Sequence, residues 1–455
     1  MYKGRTMKEL IGKMRVRLGD FWWYSLIIFL ANRAADLLNA FVGLWLVPHY
    51  VPPSELGAVL PLTNYAAFLA FPMAVFVSTF RNEISTLSIR GELGRLKTLM
   101  RGVFIASGVF LLCAVMLSYF MLPHFLERIR VAQGSLGMLI LLTSFVGAIA
   151  PVYSNAMQAL KKFRATSLIN LIGAPVRLLT MLVAMPFRPL AGYFVGQAST
   201  PVFNIVMSIF SLRKELSVKA EPYWSKDVAK RFGKLFLIFA ISGVAGSFCG
   251  LIETTVLRQR LPEIDSAAYY VVTRFSDISS FLYCTLVFTL FPFTAERSAK
   301  GEDVRPLIFK TSAAIVVFSC FIALFFTFFG RFIINLLPHG NLYASFWWAI
   351  PWMIAVTMMN SLVGIYTTAE VSANRFSFLW WMVPLNLLYP AVLLVVTGHG
   401  YFKGFFPPSL MDWLMRLNAT SLKSMLCWMT AIGLIRLFGC ALQCCFRPKG
   451  LVERG

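Results

Sequence analysis

The chain has 455 residues, of which 58% are hydrophobic and only 14% charged, with a mean hydropathy of +0.71. A composition this apolar excludes a water-soluble enzyme or binding domain of the same length. The net charge of +22 would suggest a nucleic-acid binder in a soluble chain. Here the basic residues sit in short stretches beside apolar runs, where topology and anionic headgroups account for them, and no nucleic-acid partner is expected.

Met1 to Asp20 is basic and amphipathic, carrying Lys3, Arg5, Lys8, Lys13, Arg15 and Arg17. The apolar run behind it continues for a full span without a small-residue cleavage site, so it is not read as a removable signal peptide. Twelve runs follow at 22–47, 57–80, 102–123, 135–158, 166–187, 190–212, 233–257, 266–292, 309–336, 344–370, 376–397 and 421–445. Each is long enough as a helix to cross a hydrocarbon core of about 30 Å. Most of the 42 lysines and arginines flank alternate ends of these spans, whereas the opposite side carries few, Arg258 and Arg260 among them. The positive-inside rule then puts both termini in the cytoplasm. Arg33, Arg177, Arg274 and Arg436 fall inside spans.

The most polar internal stretch, 213–232, divides the chain into six-span halves at 22–212 and 233–445, between a segment 1–21 and a tail 446–455. A faint echo joins the halves, pairing Glu55 with Asp265, Thr63 with Thr273 and Gly91-Glu92 with Gly301-Glu302. An even number of spans per half makes the repeats parallel, about an axis along the membrane normal. The expected fold is an all-α integral membrane protein of about twelve transmembrane helices in two six-helix bundles, with a substrate route between them.

Two arginine–aspartate pairs stand within spans: Arg33 with Asp36, and Arg274 with Asp277. Charges at such depth cost about 2.5–3.5 kcal/mol each and normally face a bundle interior or an aqueous cavity. Asn32, Asp36, Asn39 and Gly43 form one helical stripe in span 1, and Thr273, Ser276, Asp277 and Ser280 another in span 8. Arg177 in span 5 has no acid beside it in sequence and is a third cavity candidate. The bland alternative is that each arginine merely neutralises the aspartate one turn away. Glu253 in span 7 shares a stripe with Ser242, Gly246 and Gly250. The glycines read as a helix-packing surface, while Glu253 is read either as an acid of a cation or proton site, with Asp36 the other candidate, or as snorkelling outward near Arg258. Asn360, Gly364 and Thr367 form a polar face in span 10, with Glu370 expected at the cytoplasmic interface.

The four histidines map to outer ends and loops, which disfavours a histidine relay, and the eight cysteines show neither disulfide nor zinc spacing. Tryptophans such as Trp380 and Trp381 mark span ends, and Pro407 to Leu417 reads as a helix on the outer surface. No cofactor or metal is implied.

The first-span pattern Asn32-Arg33 with Asp36, the turn Val51-Pro52-Pro53-Ser54-Glu55-Leu56-Gly57, the segment Gln158 to Arg164, Tyr269 to Asp277 and Leu290-Phe291-Pro292 together resemble the multidrug/oligosaccharidyl-lipid/polysaccharide (MOP) exporter superfamily, within it the polysaccharide exporters and O-antigen flippases. The resemblance implies a MATE-like two-lobed transporter of alternating access. Such proteins carry undecaprenyl-diphosphate-linked glycans across the bacterial inner membrane or expel cationic drugs. The pair Arg274 and Asp277 is similar to one that lines the substrate cavity of lipid II flippases, though the two extra C-terminal spans of that branch have no counterpart here. A guanidinium fork suits phosphate oxygens, so a diphosphate headgroup would suit Arg33 and Arg274. A cation-coupled drug antiporter of the same fold is the alternative. A membrane enzyme acting on the same lipids is disfavoured by the short outer loops, the longest of which, about 398–420, offers only Asp412. Partners implied are the bilayer, a lipid-linked glycan, a coupling proton or sodium ion, and a glycan polymerase or glycosyltransferases.

Overall fold

The computed structural model describes residues 33–131, 136–160, 162–299, 302–372, 375–397, 409 and 421–445. The basic N-terminal segment, Asn32, the surface helix expected at Pro407 to Leu417 and the tail 446–455 lie outside them. Among the described residues the chain is helical between short turns, with no strand. Helix α1 covers 33–50 and contains a π-helical turn at Val42–Leu46. A short α2 (Pro53–Leu56) leads into α3 (Val59–Ile89), α4 (Leu93–Arg128), α5 (Leu136–Ala159), α6 (Phe163–Ala184) and α7 (Pro189–Leu216). The second half holds α8 (Lys226–Arg260), α9 (Glu263–Ala299), α10 (Arg305–Asn335), a short α11 (Gly340–Tyr343), α12 (Ala349–Ser372), α13 (Leu379–Val396) and α14 (Leu422–Cys445).

Nine stretches among the described residues are long and apolar enough to cross a membrane. The twelve-span reading adds α1, α8 and α9, the helices that carry Arg33 and Asp36, Glu253, and Arg274 and Asp277. Long rows of exposed apolar side chains on the other helices, such as Phe104, Leu112 and Phe120 on α4 or Phe321, Phe328 and Phe332 on α10, are the surface a bilayer would cover. The chain is a multi-pass membrane protein.

Each half is a bundle built on the same pairings. In the first, α5 packs on α3 and α7; in the second, α12 packs on α9 and α14. The halves meet along two seams, α1 on α9 and α3 on α8, which a two-fold exchanging the halves would interchange. The contacts repeat in detail. Arg274 of α9 lies against Gly43 of α1, where an added Cβ would stand 3.1 Å from its Cδ; Asn64 of α3 lies against Gly250 of α8 and donates to its carbonyl at 3.1 Å. Arg274 and Asn64 are separated by roughly the offset of 210 that the faint sequence echo shows, as parallel repeats require.

At the end of the seams away from the basic loops, Arg258 departs from its expected place in an outer loop. Its side chain is only 2% exposed. It donates from Nε to the Ile129 carbonyl at 3.1 Å and from Nη2 to the Ser54 carbonyl at 2.6 Å, joining the second half to the first. Gly57 sits so close to Ser266 that any side chain there would collide with it.

At the basic end, the segment after α7 is strapped to the first bundle. Lys97 donates to the Val218 carbonyl at 2.9 Å, Thr98 to the Glu221 carbonyl at 2.6 Å, and the Tyr223 hydroxyl to Glu83 at 2.6 Å. Gly94 and Gly102 of α4 leave room for Lys219 and Trp224. Ser225 then caps α8 by accepting from the Val228 N–H.

Candidate functional site

The α1–α9 seam gathers the intramembrane charges. The described part of the α1 stripe, Arg33, Asp36, Asn39 and Gly43, rises about 15 Å along the helix. Arg33 Nη2 lies 2.6 Å from Asp36 Oδ2 and also reaches the Phe281 carbonyl and Thr285 Oγ1 of α9, each at 3.4 Å, with its guanidinium 5.2 Å from the Phe281 ring centre. Further along, Arg177 of α6 donates to Asn39 Oδ1 at 3.2 Å. At the π turn, the Tyr270 hydroxyl donates to the Gly43 carbonyl at 3.1 Å. A π turn widens the helix by one residue and frees such a carbonyl for an outside donor.

From α9, Arg274 pairs with Asp277 at 2.8 Å and lies 5.2 Å over the Tyr270 ring. Arg177 and Arg274 stand near enough to repel one another, with Tyr193 and Tyr270 beside them. Tyr193 of α7 accepts from Gln197 at 2.6 Å and lies 3.5 Å from the Thr63 hydroxyl of α3. Arg33, Asp36, Asn39, Arg177, Arg274 and Asp277 thus converge on one seam.

Two features distinguish this cluster from a set of self-contained ion pairs. The four charged side chains keep accessible surface: 20% for Arg33, 27% for Asp36, 27% for Arg274 and 41% for Asp277. The Nε atoms of Arg177 and Arg274 are also buried without a hydrogen-bond partner among the described residues. A buried donor left unmade costs about 1–3 kcal/mol, more when charged; Arg258 Nη1 and Arg436 Nε share that condition outside the cluster.

The face that α9 turns to α1 differs from the predicted stripe. It runs Tyr270, Arg274, Asp277, Phe281, Thr285, spaced at four, three, four and four residues. Thr273, Ser276 and Ser280 instead donate to carbonyls of their own helix, and Ser276 is fully buried. Short hydroxyls back-bond readily within a helix, which commits their donors there, while Thr273 and Ser280 stay half-buried. Tyr193, Gln197 and Tyr270 were not singled out from the sequence. Tyr270 had a signal, lying one helical turn before Arg274.

Glu253 belongs to a separate cluster inside the second bundle. It accepts from Tyr389 of α13 at 3.0 Å and Tyr269 of α9 at 3.5 Å, with Arg436 of α14 in electrostatic range and donating to the Cys249 thiol at 3.5 Å. It therefore turns inward to two tyrosines rather than outward beside Arg258. Of the stripe it shares, Gly250 meets only Asn64, at 3.8 Å from an added Cβ, and Gly246 has open space; the close approach falls at Gly243, under Phe71. Ser242's side chain is outside the described set. In α12, Gly364 is packed under Tyr283, Asn360 is exposed, and Glu370 is 2% exposed rather than at an interface. Trp380 is 87% exposed, as an interface anchor should be, while Trp381 donates to Gln443 at 2.9 Å within the bundle. Among the described residues no cluster of histidine, cysteine, aspartate and glutamate has the makings of a metal site.

Comparison with solved structures gives the fold its relatives. The chain is similar to an outward-facing multidrug resistance MATE family transporter of the MOP superfamily, at TM-score 0.64 and 12% identity over 94% of this chain and 97% of that one. It is similar also to the lipid II flippase MurJ in an inward closed conformation, at TM-score 0.60 and 14% identity over 93% and 88%. A MOP superfamily transporter from Pyrococcus furiosus, described by a reverse polarity of its binding pocket, matches at TM-score 0.60 and 11% identity over 94% and 97%. No family model matches the sequence, and no curated protein matches it.

Proposed function

With a MATE/MOP-type fold as premise, we propose that this protein is an alternating-access flippase that carries the phosphate-bearing headgroup of a lipid-linked oligosaccharide or polysaccharide precursor, of the undecaprenyl-diphosphate class, across the bacterial cytoplasmic membrane with both termini cytoplasmic. The observation that carries the reading is the pair Arg177 and Arg274, whose buried Nε donors lack partners. Arg274 has Asp277 as counter-ion, and Arg177 has the neutral Asn39. Two guanidiniums against one carboxylate leave a positive surplus that an anionic headgroup would neutralise and a cationic drug would meet as repulsion. A diphosphate offers oxygens for both forks, while the isoprenoid tail stays in lipid. No bond is made or broken, so the reading is of a transporter and not an enzyme. Upstream glycosyltransferases and a downstream polymerase are the partners it implies.

The second reading, a cation-coupled drug antiporter, is favoured by Glu253. A carboxylate held by two tyrosine hydroxyls within a bundle is a candidate to exchange a proton or sodium ion. The two readings share that coupling step and differ in cargo.

The test is translocation of fluorescent undecaprenyl-diphosphate oligosaccharide in reconstituted liposomes, beside efflux of a cationic dye. Flipping should fall at least tenfold in Arg177→Ala, Arg274→Ala and Arg33→Ala with membrane insertion intact, and Arg→Lys should restore only part because the fork is lost. Dye efflux without flipping selects the antiporter; flipping indifferent to all three leaves Arg33 and Arg274 as structural ion pairs and Arg177 as a structural hydrogen-bond donor.

A further inference from the structure

The second seam holds a feature that the arginine cluster does not use. Between α3, α4, the strap and α8 lies a cavity of about 310 Å³ lined by Phe80, Phe110, Trp224, Phe232, Gly233 and Phe236. The rings brace one another: Phe80 and Phe232 are 4.4 Å apart, Phe80 and Trp224 5.9 Å, and Phe110 and Phe236 6.4 Å between centres. No side chain of the cavity wall carries a charge. The walls come from both halves of the protein, α3 and α4 on one side and α8 on the other.

Its surroundings are asymmetric. Gly233 and Trp224 are exposed, and the helices that wall the slot, α4 and α8, carry exposed apolar side chains, with Val109 57%, Phe104 56% and Leu237 60% exposed. On the other side the cavity reaches the first turns of α8, where Lys226 and Lys230 are exposed. An apolar slot that is continuous with a lipid-facing surface at one end and with lysines at a helix N-terminus at the other fits one kind of molecule: an amphiphile with a hydrocarbon chain and an anionic phosphate at its head.

We infer that this cavity binds an anionic phospholipid of the surrounding bilayer, one acyl chain in the aromatic slot and the phosphate over the first turns of α8 beside Lys226 and Lys230. The bilayer lipid, rather than transported cargo, is the occupant because the slot belongs to the α3–α8 seam, whereas Arg177 and Arg274, the residues assigned to the cargo, belong to the α1–α9 seam. A lipid lodged there bridges the two halves and holds this end of the seam closed, so membrane lipid composition sets how readily the halves part.

Gly233 supplies the test, because a Cβ added there meets nothing within 4 Å. Thermal unfolding of the full-length purified protein in detergent would be followed with added phosphatidylglycerol, phosphatidylcholine or undecaprenyl diphosphate. Phosphatidylglycerol should raise Tm, phosphatidylcholine should raise it far less, Gly233→Ala should keep the rise and Gly233→Phe should abolish it. Lys226→Ala with Lys230→Ala should bring the two phospholipids together. An equal rise with both phospholipids in the wild type, a rise that survives Gly233→Phe, or a Gly233-dependent rise with undecaprenyl diphosphate alone would overturn the inference. If Gly233→Phe does not fold, quenching by brominated phosphatidylglycerol decides instead: it should be weaker in Trp224→Phe than in the wild type, and equal quenching would overturn the site. None of these readouts depends on which cargo is moved.

Discussion

Four arginines inside the bundles meet different fates, and the difference lies in what each finds to hold. Arg33 is satisfied by Asp36 and by acceptors of α9. Arg177 and Arg274 are left with donors to spare. Arg258 ties two main-chain carbonyls of the other half while its Nη1 stays buried without a partner among the described residues. Hydrogen bonds from charged groups contribute about 1.5–3 kcal/mol each, so Arg258→Ala should release about 3 kcal/mol or more of the closure at that end of the seams. The expected outcome is an intact fold with a displaced equilibrium. A cysteine-reactive probe at an engineered Ser54→Cys should label faster when Arg258 is also replaced, and unchanged labelling would show that other contacts hold that end shut. Arg258→Lys should label at an intermediate rate, because one ammonium cannot reach two carbonyls in the geometry of a fork.

Among elements, the packing of α3 on α8 turns on one glycine. A side chain at Gly243 would strike the Phe71 ring, whereas Gly246 faces open space. Gly243→Val should therefore cost about 1–3 kcal/mol by overpacking, and Gly246→Ala should leave the melting temperature of the purified protein unchanged. The sequence displays a stripe of small residues on α8 but not which member touches a partner, since that depends on how the facing helix is rotated. The same limit governs α9. Its charges and its helical period are legible, and so is the convergence of α1, α6 and α9 on an internal polar seam; that Thr273, Ser276 and Ser280 turn their hydroxyls back to their own helix is a local competition that a polar stripe cannot reveal. Hydropathy likewise marks the stretch in lipid and not the helix end. Span 102–123 sits within the longer α4, Leu93–Arg128, whose first turns run past the apolar run to grip the strap at Val218 and Glu221. Arg258 was misread for a related reason: a basic residue near a span end looks like a loop charge until a partner carbonyl is in view.

At the scale of the whole molecule, transport by alternating access requires the halves to separate first at one end and then at the other, and one end is held here by the Arg258 ties together with apolar packing that both halves share. Gly57 and Ser266 stand on opposite halves in such contact that an added Cβ at Gly57 would lie 2.8 Å from the Ser266 Cβ. Disulfide-bonded cysteines hold their Cβ atoms about 3.5–4.5 Å apart, so the pair Gly57→Cys with Ser266→Cys needs the backbones to give by only about an ångström. Oxidation should fix that end closed. The two halves share one buried hydrophobic cluster, but helix association within the membrane draws mainly on van der Waals fit and polar contacts of about 0.6 kcal/mol each, and a covalent bond easily exceeds it. The oxidised double variant should lose flipping, or dye efflux if that is the cargo, and recover it on reduction, with the wild type under the same oxidant unaffected. Full activity in the oxidised form, with the cross-link verified by a shift in gel mobility after cleavage in the strap, would mean that this end never opens during the cycle. The arginine cluster would then exchange its ligand sideways through the α1–α9 seam, and the two-fold that relates the seams would describe the protein's ancestry without describing its motion.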